Sequence, residues 1–375
     1  MRKRQHPNDE DLLDLLDESP AVPEEDRAHT EAHLKECSMC TERLVEMREF
    51  VMVLRDANVW DRRVLKVRPR LEWVRQASTV AHQITEELKA AETEGTGVIT
   101  GPSSWWRMRA TQAPTTHTYG FVRKLLERAD RFLGVTPASA VELTAIAVEI
   151  AEALSIDAYP FDVVISARAH ASREYAYALF FIGRFPDALR AVDRAERLFE
   201  QLPVPDFELA RARLVRALIY RSTDRIAEAI ILARSAATVF RGYGAVDRFV
   251  KAKMIEGTML YQQGSIPEAL ALWNSLQDEP TLREDAAFAT LLQSIGTAHT
   301  QLGHPDLALD YLTRAIEEHE RRGNSAERVR TRWSLASAVV ATGRLDDALP
   351  LLRQTQREFE AVDSRSKCNT WCLAK

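Results

Sequence analysis

Several features that mark other protein classes are scarce in this 375-residue chain. Its four cysteines, two near residue 40 and two in the last ten positions, are a poor basis for a disulfide framework. No stretch approaches the roughly 18 uncharged apolar residues of a membrane span. The N-terminus also lacks the apolar core of a secretory signal. We therefore expect a cytoplasmic protein that does not enter a membrane.

The chain also lacks the residue sets that indicate catalysis or nucleic-acid binding. Its formal net charge is -5, so nothing global points to nucleic acid. Its later histidines have neither a paired nucleophile nor a Gly-rich phosphate loop beside them. These histidines are His170, His299, His304 and His319. We expect no enzymatic activity, and the 46% hydrophobic and 28% charged residues predict a folded protein instead.

Histidine and cysteine meet in one short N-terminal motif, H-x-x-x-C-x-x-C, formed by His33, Cys37 and Cys40. Pro23 and the acidic residues after it predict a helix that runs to about residue 36. His33 and Cys37, four residues apart, would share a face of its last turn. Cys40 can reach the same point if the chain turns at residues 38 and 39. Nitrogen and sulfur donors of this kind suit tetrahedral zinc.

The fourth ligand and the role of the metal are less constrained. We prefer His6 to His29, because His29 lies one turn before His33 and would be too far from Cys40. A structural zinc and a redox-sensing zinc both remain open. Without a metal, Cys37 and Cys40 would be small buried residues, and His33 would lie on a helix surface.

At these residues the chain resembles the zinc-binding anti-sigma factor family, whose motif is a distant N-terminal histidine followed by H-x-x-x-C-x-x-C between two helices. The resemblance covers about residues 1–56, with His6, His33, Cys37 and Cys40 at the matching positions. It implies a small helical zinc-binding domain that binds a sigma factor or a similar regulator. The commonest arrangement continues into a membrane helix, so a soluble member is implied here.

The next region divides into a helical connector over residues 57–94 and a Gly- and Pro-containing linker over residues 95–120. Residues 61–75 are basic, with Trp60 and Trp73 near them, which is compatible with phosphate binding. The same residues also fit a helix that packs over a neighbour. We favour the second interpretation, so nucleic acid is not an expected partner.

Beyond the linker the sequence repeats with a period of about 40 residues. The turns between paired helices align with separations of 41, 40, 39 and 40 residues, at Gly183, Asp224, Gly264, Gly303 and Gly343. Five residues after each turn is an alanine: Ala188, Ala229, Ala269, Ala308 and Ala348. Seven residues before each turn is a small residue: Ala176, Ala217, Gly257, Gly296 and Ala336. Such small residues would let the two helices of each hairpin approach closely.

These stretches, such as G-R-F-P-D-A-L from Gly183 and G-R-L-D-D-A-L from Gly343, resemble tetratricopeptide repeats. The usual period is about 34 residues, so longer helices or loops are implied. We assign the repeats to residues 161–362, after atypical first helices or a cap over 121–160 and before a tail over 363–375. The predicted fold is all-α, a small zinc-binding helical domain followed by an α-solenoid.

Solenoids of this kind usually bind peptides or protein segments on the concave face, which the first helix of each hairpin lines. The candidate lining residues are Arg213, Arg216, Tyr220, Lys253, Gln293, His299 and Arg332. We therefore expect a cytoplasmic adaptor in transcription regulation, with a sigma factor or similar regulator on the zinc module and a second protein on the repeats. The alternative is a repeat scaffold with a purely structural zinc.

Overall fold

A computed structural model of the chain describes most of the sequence after residue 70 and part of the N-terminal region. The described ranges are residues 24–35, 71–98, 103–112, 116–134, 136–285 and 287–365. Eight single positions are also described: Pro7, Leu12, Leu15, Cys37, Cys40, Thr41, Arg43 and Leu44. Two compact units are present, residues 1–86 and residues 87–375.

In the first unit, helix α1 is Glu24–Leu34, and it begins next to Pro23 as the sequence predicts. Leu12 is fully buried, and Thr30 of α1 is buried as well. Helix α2, Leu71–Val98, begins in this unit and ends in the second. The basic residues 61–70 and the tail residues 366–375, with Cys368 and Cys372, lie outside the described residues.

The second unit consists of helices joined by short turns, and its described residues contain no strand. After a 3₁₀ turn at Ser103–Trp105, the helices are α3 Trp106–Gln112, α4 Tyr119–Leu133, α5 Pro137–Ala153, α6 Phe161–Phe181, α7 Phe185–Phe199, α8 Asp206–Ser222 and α9 Ile226–Gly242. They continue as α10 Val246–Gln263, α11 Ile266–Asn274, α12 Pro280–Glu284, α13 Ala287–Gln301, α14 Pro305–Arg321, α15 Ser325–Ala341 and α16 Leu345–Arg365. The all-α prediction is confirmed.

The five turn positions that define the repeat period adopt one unusual backbone conformation. Gly183, Gly264, Gly303 and Gly343 have φ between 74° and 91°, in the left-handed region that favours glycine. Asp224 has φ 62° and is the one non-glycine residue with positive φ among the described residues. The five turns join α6 to α7, α8 to α9, α10 to α11, α13 to α14 and α15 to α16. The sequence alignment of the repeats therefore identified the hairpin turns.

Small side chains set the spacing inside each hairpin. The five alanines after the turns are buried, with at most 1% exposure. At Gly257 an added Cβ would lie 2.3 Å from Trp273 Nε1, and at Gly296 it would lie 2.6 Å from Leu312 Cγ. The second helix of each of these hairpins thus occupies the space that a larger residue in the first helix would need.

The hairpins stack in chain order, and most neighbouring first helices contact each other. Helix α6 contacts α4 and α8, and α13 contacts α10 and α15, in addition to the contacts within each hairpin. The core between the layers is built from aromatic and aliphatic side chains such as Phe199, Phe240, Ile219 and Met259, all fully buried. This layer of first helices positions the candidate site.

Within residues 95–120, which composition assigns to a linker, the described residues are largely helical. Helix α2 continues to Val98, and α3 follows after the short turn at residues 103–105. Trp106 is buried, whereas Trp105 is half exposed. Ala110 of α3 has no exposed surface. The buried indole of Trp106 contributes to the packing of α3, an effect that glycine and proline content does not reveal.

None of the described helices combines the length and the apolar character that crossing a membrane requires.

Replacing Gly257 tests the close packing inside a hairpin. We expect Gly257→Ala to lower the free energy of unfolding by about 1–3 kcal/mol, because Trp273 is buried and cannot move away from the new methyl group. Gly97→Ala is the matched control, since nothing lies within 4 Å of an added Cβ there. Thermal unfolding of both variants measures the difference. Equal melting temperatures for the two would contradict the packing argument.

Candidate functional site

A groove of about 1020 Å³ opens on the layer of first helices. Its walls come mainly from α4, α6, α8 and α10, the first helices of four successive hairpins. Apolar side chains in the wall include Leu126, Leu214, Leu218 and Ile255. The charged and polar lining residues are Arg123, Lys124, Glu127, Asp130, His170, Arg173, Glu174, Tyr177, Glu208, Arg211, Arg248 and Lys251. The groove thus has an apolar component and a dense set of charges.

Arg173 is the centre of this charge set. Its side chain is only 5% exposed, and it forms ion pairs with Glu208 of α8 and with Glu174, 2.6 Å from Arg173 Nη2. The guanidinium also lies 5.8 Å from the centre of the Phe199 ring. A buried guanidinium needs such partners because an unpaired buried charge is strongly destabilising. The network therefore ties α6 to α8 at the groove.

Arg211 and His170 complete the network around Glu208. Arg211 Nη1 lies 3.0 Å and 3.1 Å from the two carboxylate oxygens of Glu208. His170 Nε2 lies 3.1 Å from Glu208 Oε2, and the His170 ring is 5.2 Å from that of Phe199. The Glu208 carboxylate thus contacts three basic side chains, which come from two helices.

This environment shifts the pKa values of the groove residues. Burial alone would raise the pKa of Glu208, but His170, Arg173 and Arg211 together hold it well below its usual range. Burial lowers the pKa of His170, and its contact with Glu208 opposes this effect only in part. Burial and the nearby Glu174 and Asp130 raise the pKa of Tyr177. At neutral pH the network therefore contains ionised Glu208 and uncharged His170.

The seven candidate residues chosen from the sequence are not among those that line this groove. Three of them contact other side chains instead. Arg216 Nη2 contacts Asp193 at 2.5 Å and Glu196 at 2.8 Å, both on α7. Gln293 Oε1 accepts a hydrogen bond from the Thr331 hydroxyl at 3.1 Å, which joins α13 to α15. Lys253 Nζ lies 2.8 Å from Glu256 of its own helix.

For Arg213 and Lys253 the physical reason is a rotation about the helix axis, whereas Gln293, His299 and Arg332 lie on α13 and α15, which do not line this groove. Arg213 and Lys253 precede their turns by eleven residues, whereas His170, Arg211 and Lys251 precede theirs by thirteen. Two residues correspond to about 200° at 3.6 residues per turn, so the two sets face nearly opposite directions. The position thirteen residues before the turn carries histidine, arginine and lysine in three successive repeats. That recurrence was the available sequence signal for the groove.

The second candidate site lies in the first unit, where His33, Cys37 and Cys40 come together. One ligand atom from each lies within 4.8 Å of the others. His33 is in the last turn of α1, Cys37 follows its end, and Cys40 is at the start of the next helical segment. The hydroxyl of Thr41 lies 2.9 Å from the carbonyl oxygens of both Leu34 and Cys37, which holds the turn between them.

The donor set fits zinc in type, and its ligand atoms lie within 4.8 Å of one another. With Zn–S near 2.3 Å and Zn–N near 2.0 Å, tetrahedral ligand atoms are separated by about 3.3–3.8 Å. Burial raises the pKa of the Cys40 thiol, and its contact with Cys37 raises it further. His29 is exposed and is not one of the three converging residues. His6, the preferred fourth ligand, lies outside the described residues.

Comparison with known proteins identifies the repeats. Residues 173–245 and 294–361 match the family model of the tetratricopeptide repeat, so these stretches are tetratricopeptide repeats. No curated protein sequence matches the chain significantly.

Two solved structures share the fold at low sequence identity. One is the Rap conjugation gene regulator of plasmid pLS20 in complex with the Phr* peptide, with 13% identity and a TM-score of 0.52, covering 92% of this chain and 80% of that one. The other is the apo quorum sensor NprR from B. thuringiensis, with 14% identity and a TM-score of 0.50, covering 74% of this chain and 77% of that one. At these identities the likeness concerns the fold alone.

The lowered pKa of Glu208 predicts a defined acid sensitivity. Because the folded pKa is below the ordinary value of 4.5, its stabilising contribution is present above about pH 4.5 and is lost as the pH falls towards the folded value. We expect Glu208→Gln to reduce the dependence of unfolding free energy on pH below about 4.5. Asp278→Asn, which removes an exposed carboxylate, is the control and should keep the wild-type slope. Urea unfolding at several pH values measures the slopes, and an unchanged slope for Glu208→Gln would contradict the assignment.

Proposed function

We propose that the repeat array binds an extended peptide or protein segment in the groove of α4, α6, α8 and α10, and that the chain acts as a cytoplasmic, non-enzymatic regulatory adaptor. The observation that carries this proposal is the groove itself, with a wall shared by four successive first helices. Its volume is at the upper end of the range for small-molecule pockets, which suits a segment of several residues.

The lining supports a peptide as the occupant. Leu126, Leu218 and Ile255 offer apolar contacts, while the Arg173 network offers fixed charges. Extended peptides present both apolar side chains and polar backbone groups, so a mixed lining serves them. The pLS20 regulator of similar fold was solved with a peptide bound, which supports the same use of the repeats here.

For the first unit we propose zinc binding through His33, Cys37 and Cys40, with His6 as the fourth ligand. The convergence of one nitrogen and two sulfur donors supports this proposal. When bound, zinc would link the end of α1 to the helical segment that begins at Cys40, a useful constraint in a unit with a small core.

We further propose, from the resemblance to anti-sigma factors, that the zinc-binding unit binds a second protein, a sigma factor or a similar regulator. A purely structural zinc in a repeat scaffold is the competing function, and the same donor set supports it equally. The two proposals differ in whether binding of a partner protein requires the intact cluster of His33, Cys37 and Cys40.

Blocking the groove tests peptide binding. A phage library of random octapeptides, selected on the purified full-length chain, should yield enriched sequences. Leu218→Arg, which places a charged side chain in the groove wall, should weaken binding of the enriched peptides by at least about tenfold. Ile231→Arg, at an exposed position outside the groove lining, is the matched control. Fluorescence anisotropy measures both affinities. Failure to enrich any peptide, or equal loss in both variants, would contradict the proposal.

Metal analysis tests the zinc site. We expect about one zinc per wild-type chain, and much less in His33→Ala and in His6→Ala, since each removes one of four ligands. His29→Ala should retain the wild-type content. Mass spectrometry of the purified proteins measures the ratio, and a wild-type chain without zinc after expression in zinc-supplemented medium would contradict the proposal.

Partner binding by purified wild-type and variant chains distinguishes the two proposed functions of the zinc-binding unit. A sigma factor retained by the wild-type chain and lost with a Cys37→Ser, Cys40→Ser variant would support the regulator. Partners that are unchanged in that variant, while zinc is lost, would support a purely structural metal.

A further inference from the structure

We propose that the peptide ligand carries an anionic group, a carboxylate or a phosphate, that binds between Arg211 and Arg248 in the groove. This inference rests on the proposed function and specifies the chemistry of the ligand. It derives from an imbalance of charge in the groove wall formed by α8 and α10.

The network around Arg173 contains more basic groups than acidic ones. Arg173, Arg211 and Arg248 supply three guanidinium groups, whereas Glu174 and Glu208 supply two carboxylates. Glu208 is shared between Arg173 and Arg211, and Glu174 lies 2.6 Å from Arg173 but 3.9 Å from Arg211. His170 is uncharged at neutral pH because burial lowers its pKa. One positive charge therefore remains unbalanced beside Arg211.

Arg248 is the residue best placed to receive an anion. Its side chain is exposed in the groove wall, and it takes part in no ion pair within the part of the chain that the structure describes. Its guanidinium lies 5.7 Å from the centre of the Phe207 ring, a stacking contact that restricts its orientation. Arg211 and Arg248 line the same side of the groove. Burial and the like charges of Arg173 and Arg248 lower the pKa of Arg211, as expected where cations repel each other.

An anion between these groups would remove that repulsion. Guanidinium groups bind carboxylate and phosphate through pairs of parallel hydrogen bonds, and such charge-assisted bonds are about twice as strong as neutral ones. Lys251, in the next turn of α10 after Arg248, adds a third cation. Its nearest acid is Asp285, at 4.0 Å. The arrangement is therefore a cationic subsite at one side of the groove.

The remainder of the groove argues for a peptide rather than a nucleic acid. Glu127 and Asp130 line the groove from α4, Glu174 from α6 and Glu208 from α8. A polynucleotide backbone would bring repeated phosphates against these four carboxylates. A peptide can place one anionic group at Arg211 and Arg248 and uncharged or basic groups elsewhere, which matches the distribution of charge.

The octapeptide selection on the full-length chain tests this inference separately from peptide binding itself. We expect the enriched sequences to share an aspartate or glutamate, and synthetic peptides with that residue changed to alanine to bind at least about tenfold more weakly. Arg248→Gln should cause a similar loss with the parent peptide. Arg197→Gln, at an exposed arginine of α7 outside the groove lining, is the matched control and should bind normally.

One further measurement identifies the anion, and a second tests the charge at Arg248. A phosphoserine peptide that binds more tightly than the aspartate peptide would assign the subsite to phosphate, and the reverse order would assign it to carboxylate. Arg248→Glu should recover binding to a peptide whose acidic residue is replaced by lysine.

Two results overturn the inference. One is enriched peptides without a shared acidic residue, and the other is equal affinity of the wild type and Arg248→Gln for the parent peptide. If no peptide is enriched at all, the failure is that of the proposed function instead.

Discussion

Close approach of the two helices in each hairpin is the constraint on which the second unit depends. It requires a small residue in the first helix where the second helix crosses it, and Gly257 and Gly296 show how little space remains. It also requires a turn short enough to keep the helices together, which the left-handed residues provide. Once these conditions repeat every 40 residues or so, the first helices fall into one layer. The groove is lined by the first helices α4, α6, α8 and α10 of that layer.

Within the groove, burial determines the chemistry. Arg173 is enclosed by α6 and α8, so its charge must be matched by Glu174 and Glu208. The same carboxylates are then only partly available to Arg211, and the positive character of the α8 and α10 wall follows. Because the buried Arg173 must be paired, the charge around it is unevenly distributed, and a ligand can recognise this distribution.

The hairpins could be predicted from the sequence because they depend on local rules. Turn residues, alanines and small residues recur at fixed spacing, and all five turns were located correctly. The tetratricopeptide nature of residues 173–245 and 294–361 was visible for the same reason. The convergence of His33, Cys37 and Cys40 also follows from helical spacing. Its use for zinc and the identity of the fourth ligand remain predictions.

The groove could not be predicted in the same way, because it depends on which side of each first helix faces inward. Arg213 and Lys253 lie two residues after the lining positions Arg211 and Lys251, which is about 200° around the helix. Gln293, His299 and Arg332 lie on α13 and α15, which do not line the groove. The sequence does not show which of Trp105 and Trp106 is buried, because burial of Trp106 is a tertiary effect. Partners in ion pairs, such as Arg173 and Glu208, are 35 residues apart and carry no local signature.

One turn differs from the other four in a way that bears on local unfolding. At Asp224 the left-handed conformation lacks the freedom of glycine, and a non-glycine residue there costs about 1 kcal/mol or more. The hairpin it closes, α8–α9, is the one that contributes Glu208 and Arg211 to the groove. Its amide protons near the turn should therefore exchange with solvent faster than those of the glycine turns. Among the described residues, the one left-handed turn without glycine therefore lies in a hairpin that lines the groove.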